Sequence, residues 1–285
     1  MSLQVTFGVS TWLWASPFNS DTIALFGKIK AMGYDVVEIP VEDTELIDTR
    51  LIKEALKEHD LEALICGAFG PERDLTNDDT AYHQKAFNYI EACLDICNQL
   101  DVPFFAGPMY SAVGKARLAS PGQRKIEWDR AVNNLSQVCK MAEARGLKLG
   151  IEPLNRFESD MINTTDDVLR LINDIGHPAA NIALDGFHMN IEEPDIEAAI
   201  VAAGDKLIHL QVSENYRGTP GSGQTNWAAY KAGLQQIGYE GIISIESFTP
   251  EVKELAGAVC IWKPLAASQD EFASKGLQFL KRFFK

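Results

Sequence analysis

Short apolar segments alternate with amphipathic, helix-like segments eight times along this chain, and no other feature constrains its fold as strongly. The apolar segments are rich in β-branched residues, which favour strands, whereas the longer segments between them carry apolar residues at helical spacing. Strands that alternate with helices favour a parallel sheet, and eight such units favour closure into a barrel. The sequence therefore predicts an α/β protein with a (β/α)8 barrel.

The predicted segments fill the chain without a linker or a low-complexity tract. The strands are predicted at residues 5–10, 36–40, 61–67, 102–107, 147–152, 181–185, 207–212 and 241–246. The helices are predicted at residues 21–32, 49–59, 78–99, 123–145, 165–175, 194–203, 226–237 and 269–284. With 285 residues, the chain is close to the ~250 residues typical of one barrel. We therefore predict a single domain over residues 1–285.

Charge and cysteine content narrow the class of protein. A formal net charge of −14 disfavours nucleic acid and anionic membranes as partners, because both attract basic surfaces. The five cysteines are odd in number and contain no CxxC pair, which indicates reduced thiols in a cytoplasmic protein. The N-terminal MSLQVTFGVS lacks the basic and apolar stretches of a signal peptide, and no segment is long and apolar enough to predict a membrane span.

Four consecutive predicted strands each end on a side chain that carries oxygen, which is the strongest indication of a functional site. They are Glu152, Asp185, Gln211 and Glu246. The carboxyl ends of barrel strands converge on one pocket, so we expect these side chains to meet in space. Three converging carboxylates repel one another and need a cation, whereas a lone strand-end glutamate would simply face solvent. We therefore predict that these residues bind a divalent metal ion.

His209 and Gln211 lie on the same face of the seventh predicted strand, because side chains alternate along a strand. His209 is deeper in the predicted barrel, and Gln211 is at the depth of the three carboxylates. An imidazole ligand favours Zn²⁺, whereas an all-oxygen set favours Mg²⁺ or Mn²⁺. We take Gln211 as the fourth ligand and His209 as a residue that either supports the ligands from behind or packs in the core. The expected ion is Mn²⁺ or Mg²⁺, with Co²⁺ as a further candidate.

Residues on the loops that follow these strands are candidates for substrate binding. His188 comes soon after the sixth strand, where it can donate to a substrate oxygen or bind the metal, and we favour the contact with substrate. Arg217 and Glu158 lie on loops of the same face, where each can fix a hydroxyl or a developing oxyanion, although such loop charges are commonly just solvated. Trp14, which lies with Trp12 just past the first strand, can wall the site or belong to the core.

The segments around these residues are GIEPLNRFES, LDGFHMNIEE, HLQVSENYRGTPGSG and IISIESF. They resemble the ketose 3-epimerase family, which includes D-tagatose and D-psicose 3-epimerases, within the xylose isomerase-like TIM barrels. The resemblance implies that Glu152 and Glu246 bind the metal and act as an acid/base pair, with Asp185 as a further ligand. It also implies a homodimer or homotetramer. The residues that it assigns to the substrate are His188, Arg217 and Glu158.

Gln211 is the position at which the chain departs from this family. The epimerases carry histidine as the ligand on the seventh strand, whereas hydroxypyruvate isomerase-like members of the superfamily carry glutamine. The departure leaves the substrate open between a ketose, a modified keto-sugar such as a 3-keto-glycoside, and a short hydroxy-carbonyl compound.

The predicted activity is that of a sugar epimerase or isomerase, in which Glu152 and Glu246 exchange a proton α to a carbonyl through an enediolate. A hydroxypyruvate isomerase-like aldose–ketose isomerase would use the same residues and stays an alternative. An apurinic endonuclease-like repair enzyme would need more histidines than the five present, and a basic groove. A non-catalytic sugar-binding barrel would have no need of both glutamates.

Overall fold

The computed structural model describes residues 3–285, in which eight parallel strands close into a barrel in sequence order. The strands are Thr6–Ser10 (β1), Val36–Val41 (β2), Glu62–Gly67 (β3), Phe104–Gly107 (β4), Lys148–Ile151 (β5), Ala180–Asp185 (β6), Leu207–Val212 (β7) and Ile242–Ile245 (β8). The prediction of a (β/α)8 barrel is confirmed, and every strand lies within about two residues of its predicted bounds. The first two residues of the predicted domain lie outside the described part of the chain.

Helices follow the strands as the sequence predicts. They are Leu25–Met32 (α1), Thr49–His59 (α2), Thr80–Gln99 (α3), Pro121–Glu143 (α4), Thr165–Ile175 (α5), Gly186–Glu192 (α6), Ile196–Ala203 (α7), Trp227–Gln236 (α8), Lys253–Val259 (α9) and Gln269–Phe284 (α10). The first predicted helix differs, because residues Ser20–Ala24 form a 3-10 turn and only the remainder is α-helical. Among residues 3–285, no helix has the length and apolarity that crossing a membrane requires.

Two short helices, α6 and α9, have no counterpart in the sequence prediction. The first arises because Asp185 ends β6 and also caps α6, with its Oδ1 accepting a hydrogen bond from the backbone N–H of Phe187 at 2.9 Å. Gly186 is therefore the first residue of a helix. The consequence is that α6 starts directly at the barrel mouth.

Each strand is buried on both faces. Phe7, Val9 and Ile39 belong to the large core that the strands share with the helices, and burying each such side chain contributes about 1.5–3 kcal/mol. Small side chains let the interior close, since a Cβ atom on Gly8 would lie 2.6 Å from Oγ of Ser244. A smaller apolar cluster fills the interior, formed by Val36, Leu64, Cys66, Phe104, Ala106 and Ala183.

Strand register places the predicted ligands at one end of the barrel. Asp185 pairs with Gln211, and Gln211 pairs with Ser244. Glu246 comes two residues after Ser244 and therefore faces the same interior, closer to the mouth. Glu152 directly follows β5. The carboxyl ends of four neighbouring strands thus deliver these side chains to one pocket, as in other barrels of this architecture.

Candidate metal centre and active site

The predicted ligands form one contiguous group. Nε2 of Gln211 donates to Oε1 of Glu246 at 2.7 Å, and Nη1 of Arg217 lies 2.9 Å from Oε2 of Glu246 and 2.6 Å from Oδ2 of Asp185. Ligand atoms of Glu152 and Asp185 lie within 4.8 Å of each other. All these side chains are buried, with residue exposures between 0% for Asp185 and 8% for Glu152. The structure therefore brings the predicted metal ligands together.

The charges of this group do not balance. Three carboxylates face one guanidinium, so the group carries an excess of two negative charges when all the carboxylates are ionised. Burial and then repulsion from Glu246 and Asp185 raise the pKa of Glu152 well above its ordinary value. Burial likewise raises the pKa of Glu246, although Arg217 opposes that rise. A divalent cation would supply the missing charge and keep both glutamates ionised.

Asp185 provides a direct test of whether a cation fits. Its Oδ2 atom is buried and, within residues 3–285, accepts no aligned hydrogen bond, even though Nη1 of Arg217 is close. Arg217 is shared between Asp185 and Glu246, so one guanidinium serves two buried carboxylates, and a further cation would offset the remaining charge. The oxygens of Glu152, on the neighbouring strand, are near enough to share that cation. The residues present therefore fit a hard divalent ion.

His188 projects from α6 into the same pocket as a neutral donor. The backbone N–H of Asn155 donates to its Nδ1 at 3.1 Å, and Nε2 lies 3.8 Å from Oε1 of Glu152 and 3.7 Å from Oδ2 of Asp185. Because a backbone N–H can only donate, Nδ1 is the acceptor and Nε2 carries the proton. Burial lowers the pKa of His188, which favours this uncharged form.

Glu158 reaches His188 through Asn155, a residue that the sequence analysis does not select. Nδ2 of Asn155 donates to Oε1 of Glu158 at 2.8 Å and lies 2.8 Å from Nδ1 of His188. Asn155 is itself 1% exposed. In the sequence, Asn155 lies between the candidate site residues Glu152 and Glu158, which is the one indication of its importance. Its role depends on how the loop folds.

Arg217 owes its position to the loop that follows β7. Its φ is 63°, its carbonyl accepts from Oγ of Ser247 at 2.8 Å, and its guanidinium lies against the rings of Phe187 and Phe248 at 4.3 and 5.1 Å. Burial disfavours its charge, but Asp185 leads the carboxylates that raise the pKa of Arg217 above its ordinary value. The guanidinium is thus a fixed cation at the pocket wall.

Glu214 organises the same loop from inside. Its carboxylate accepts from the backbone N–H of Gly221 at 2.7 Å, from that of Thr225 at 3.1 Å and from Nε1 of Trp227 at 2.8 Å. The backbone N–H of Arg217 also donates to its carbonyl at 2.9 Å. The glycine-containing loop is therefore wrapped around a buried acid.

The structure does not bring Trp14 to the pocket. Nε1 of Trp14 donates to Oδ1 of Asp270 at 2.7 Å, and its ring lies 5.1 Å from Nζ of Lys28, so the indole sits between α1 and α10. Trp12 is the residue on the pocket side, with its ring 5.5 Å from that of Phe248. The 3-10 turn after β1 determines which of the two indoles faces the pocket, and the sequence does not predict that turn.

Glu38 lies below the pocket and is absent from the sequence prediction. Its Oε1 accepts from Nε2 of Gln211 at 2.8 Å, and its Oε2 lies 3.1 Å from Nε2 of His209. Ligand atoms of Glu38, Cys66 and His209 form a second cluster, all within 4.8 Å of one another. His209 is thus deeper than Gln211, as predicted, and it both contacts a carboxylate and packs against Phe104.

Fold and site together define a (β/α)8-barrel protein with an acid-rich pocket at the carboxyl ends of its strands. A family model described as xylose isomerase-like TIM barrel matches residues 26–283. A probable ketose 3-epimerase from Synechocystis sp. is 31% identical over 284 residues, which cover 100% of this chain and 98% of that protein. The chain belongs to the xylose isomerase-like TIM barrel family, and its resemblance to the ketose 3-epimerases is confirmed.

Two further proteins show what the chain is similar to. The 3-dehydro-D-guloside 4-epimerase of Escherichia coli is 32% identical over 238 residues, which cover 80% of this chain and 88% of that protein. The crystal structure of a D-allulose 3-epimerase from Methylomonas sp., in complex with D-allulose, matches with a TM-score of 0.91 at 29% identity and covers 100% of both chains. These relatives are epimerases, and the prediction of an isomerase-class enzyme is confirmed.

Proposed function

We propose that the protein is a divalent-metal-dependent epimerase acting on a ketose or a related keto-sugar. The observation that carries this proposal is the pair of buried glutamates, Glu152 after β5 and Glu246 after β8, joined across one pocket by Asp185 and Arg217. An epimerase removes a proton from one face of a carbon and returns one to the other, so it needs an acid and a base on different sides. The names of the relatives support the same reaction class.

Glu152 and Glu246 are the proposed acid/base pair. Removal of a proton next to a carbonyl leaves an enediolate, whose negative charge needs preorganised donors. His188 supplies a neutral N–H and Arg217 a fixed cation to the same pocket, and both are positioned before any substrate binds. Glu158 acts through Asn155 to hold the imidazole. Either glutamate can serve as base, depending on the handedness of the substrate.

The proposed metal ligands are Glu152, Asp185, Gln211 and Glu246. Their oxygen donors fit Mn²⁺ or Mg²⁺, with Co²⁺ as a further candidate. An ion held there supplies Lewis-acid polarisation of the substrate carbonyl. The protein supplies Asp185 and the two glutamates, whose combined charge Arg217 alone does not balance.

Hydrogen exchange with solvent tests this proposal directly. We expect the Mn²⁺-loaded protein in D2O to incorporate deuterium at C3 of D-allulose or D-fructose, and NMR locates the label. Label at C1 instead of C3 would indicate an aldose–ketose isomerase. Absence of exchange on any keto-sugar, with Mn²⁺ bound, would contradict the proposed chemistry and leave a sugar-binding barrel.

A 4-epimerase of 3-keto-glycosides is the second candidate. The observation that favours it is the 32% identity to the 3-dehydro-D-guloside 4-epimerase. The same acid/base pair would then act at C4, next to a carbonyl at C3. The exchange experiment with a 3-keto-glucoside separates this candidate from the first, because the label would appear at C4.

Other features of the protein stay predictions from its sequence and family resemblance. The proposed partner is a small sugar, and neither nucleic acid nor a membrane is expected to bind. A cytoplasmic location and assembly as a homodimer or homotetramer are expected as well.

A further inference from the structure

Glu38 is a buried carboxylate in the barrel interior, where an ionised group needs compensation. It lies on β2 with 0% exposure, beside the apolar side chains of Val36, Leu64 and Cys66. The compensation is two hydrogen bonds, one to each carboxylate oxygen. Burial of a charge at such a position is costly unless hydrogen bonds compensate it. Its neighbours therefore show what it does.

Gln211 is the first of those neighbours, and its amide nitrogen is fully used. Nε2 donates to Oε1 of Glu38 at 2.8 Å and to Oε1 of Glu246 at 2.7 Å, which accounts for both amide hydrogens. A carboxylate only accepts hydrogen bonds, so an amide oxygen at that place would face two negative groups. The carboxamide of Gln211 is therefore held in one orientation, and its oxygen is the atom left to meet a cation.

His209 is the second neighbour, and it holds Glu38 in place. Because Glu38 can only accept, Nε2 of His209 carries the proton of the 3.1 Å hydrogen bond to Oε2. The imidazole in turn packs against the ring of Phe104 at 5.9 Å. With both carboxylate oxygens engaged by residues of β7, Glu38 has a fixed rotamer below the pocket. The chain of contacts runs from His209 through Glu38 to Gln211.

We propose that Glu38 is a positioning residue, which orients the carboxamide of Gln211 so that its oxygen faces the metal ion. This inference rests on the proposed function, because it takes Gln211 as a metal ligand. Groups that hold a ligand in its binding orientation typically account for a 10- to 100-fold difference in metal affinity. Without Glu38, the amide of Gln211 keeps its hydrogen bond to Glu246 but loses the second one, so its oxygen is held less firmly toward the cation.

Manganese binding by the metal-free full-length chain tests the proposal. Metal-free protein is titrated with MnCl2, and free Mn²⁺ is counted from its electron paramagnetic resonance signal. We expect Glu38→Leu to weaken Mn²⁺ binding by about 10- to 100-fold, and Glu38→Gln to lie between it and the wild type because one acceptor oxygen remains. Thermal unfolding without metal shows that the variants are folded. If Glu38→Leu does not fold, the comparison of Glu38→Gln with wild type carries the test.

A matched control and a double variant separate positioning from general damage. Glu127→Leu removes another buried carboxylate, which pairs with Arg117 and Lys115 away from the pocket, and should leave Mn²⁺ affinity unchanged. In a Gln211→Ala background, Glu38→Leu should cause no further loss, because the group that it orients is gone.

Each outcome has one meaning. The role of Glu38 would be overturned by wild-type Mn²⁺ affinity in Glu38→Leu, by an equal loss of affinity in Glu127→Leu, or by an undiminished loss in the Gln211→Ala background. Each of these results would leave the proposed function intact. Wild-type affinity in Gln211→Ala would instead remove Gln211 from the ligand set, which is a failure of the proposed site itself.

Discussion

The backbone N–H of Asn155 donates to Nδ1 of His188 at 3.1 Å, and this one contact fixes the tautomer of the imidazole. With Nδ1 occupied as an acceptor, Nε2–H points toward Glu152 and Asp185. A main-chain donor cannot be lost by a side-chain rotation, so the assignment holds whenever the loop keeps its shape. His188 is thus prepared as a neutral hydrogen-bond donor for a substrate oxygen.

We predict that His188→Phe lowers kcat/KM for D-allulose by about 10²–10³-fold, the usual cost of removing one donor to a developing oxyanion. Phe keeps an aromatic ring but removes the acceptor of the Asn155 N–H, so the metal-free unfolding temperature is measured to confirm that the variant stays folded. Steady-state kinetics measure the effect, and His59→Phe, at the end of α2 outside the pocket, serves as the control. Equal rates in His188→Phe and wild type would remove His188 from the substrate site.

Glu152→Gln and Glu246→Gln should each keep the fold and lower turnover by about 10²–10⁴-fold, because an amide cannot accept the substrate proton. Deuterium exchange from D2O into the substrate should fall in parallel. Glu193→Gln is the matched control, since that half-buried carboxylate accepts from the backbone of Thr165 instead. Near-normal exchange in both variants would rule out the proposed acid/base pair.

Much of the fold follows from local sequence patterns, and so do the carboxylates of the site. The apolar pattern of each strand depends on a few neighbouring residues, which is why each strand of the barrel can be predicted separately. Glu152 and Asp185 are predictable for the same reason, since each ends such a strand. Position along a strand also predicts depth, and it places His209 below Gln211 correctly.

The features that the sequence does not predict depend on contacts between distant segments. Glu38 is a single charge inside the apolar run VVEIP, and its meaning appears only when β2 and β7 place it beneath Gln211, 173 residues away. Trp14 and Trp12 are equivalent in the sequence, but the 3-10 turn after β1 sends the Trp14 indole toward Asp270. Asn155 acquires its role from a loop conformation that no periodicity encodes.

Arg217→Met should destabilise the metal-free protein by about 3–5 kcal/mol, because Asp185 and Glu246 lose their shared buried cation. Mn²⁺ should then raise the unfolding temperature more in the variant than in the wild type, since the ion replaces the missing charge. Arg73→Met provides the comparison: Arg73 donates to the carbonyls of Ala68 and Glu42, so metal should not repair its loss. Identical Mn²⁺-induced shifts in Arg217→Met and wild type would show that the guanidinium and the ion do not share the carboxylates.

After chelation, Mn²⁺ or Mg²⁺ should restore activity better than Zn²⁺, because the proposed ligands offer oxygen alone. Nitrogen donors, which Zn²⁺ prefers, lie at two places: His188 is beside Glu152 and Asp185, and His209 lies deeper with Glu38 and Cys66. Activity recovered at equal concentrations of each ion is the measurement. Preferential activation by Zn²⁺ would indicate that an imidazole, that of His188 or His209, belongs to the ligand set.

Glu214→Gln should lower the free energy of unfolding by about 1–3 kcal/mol at neutral pH, as the charged acceptor of three donors is lost. Burial raises the pKa of Glu214, but hydrogen bonds led by that from Trp227 outweigh it and leave the pKa below its ordinary value. A lowered pKa contributes stability above the unfolded-state pKa of about 4.3, and that stability disappears as pH falls through the folded-state pKa. The difference between wild type and variant in urea denaturation should therefore be largest near neutrality and shrink in acid. A difference that stays constant down to the lowest pH at which the wild type folds would show that the ionised carboxylate does not hold the loop.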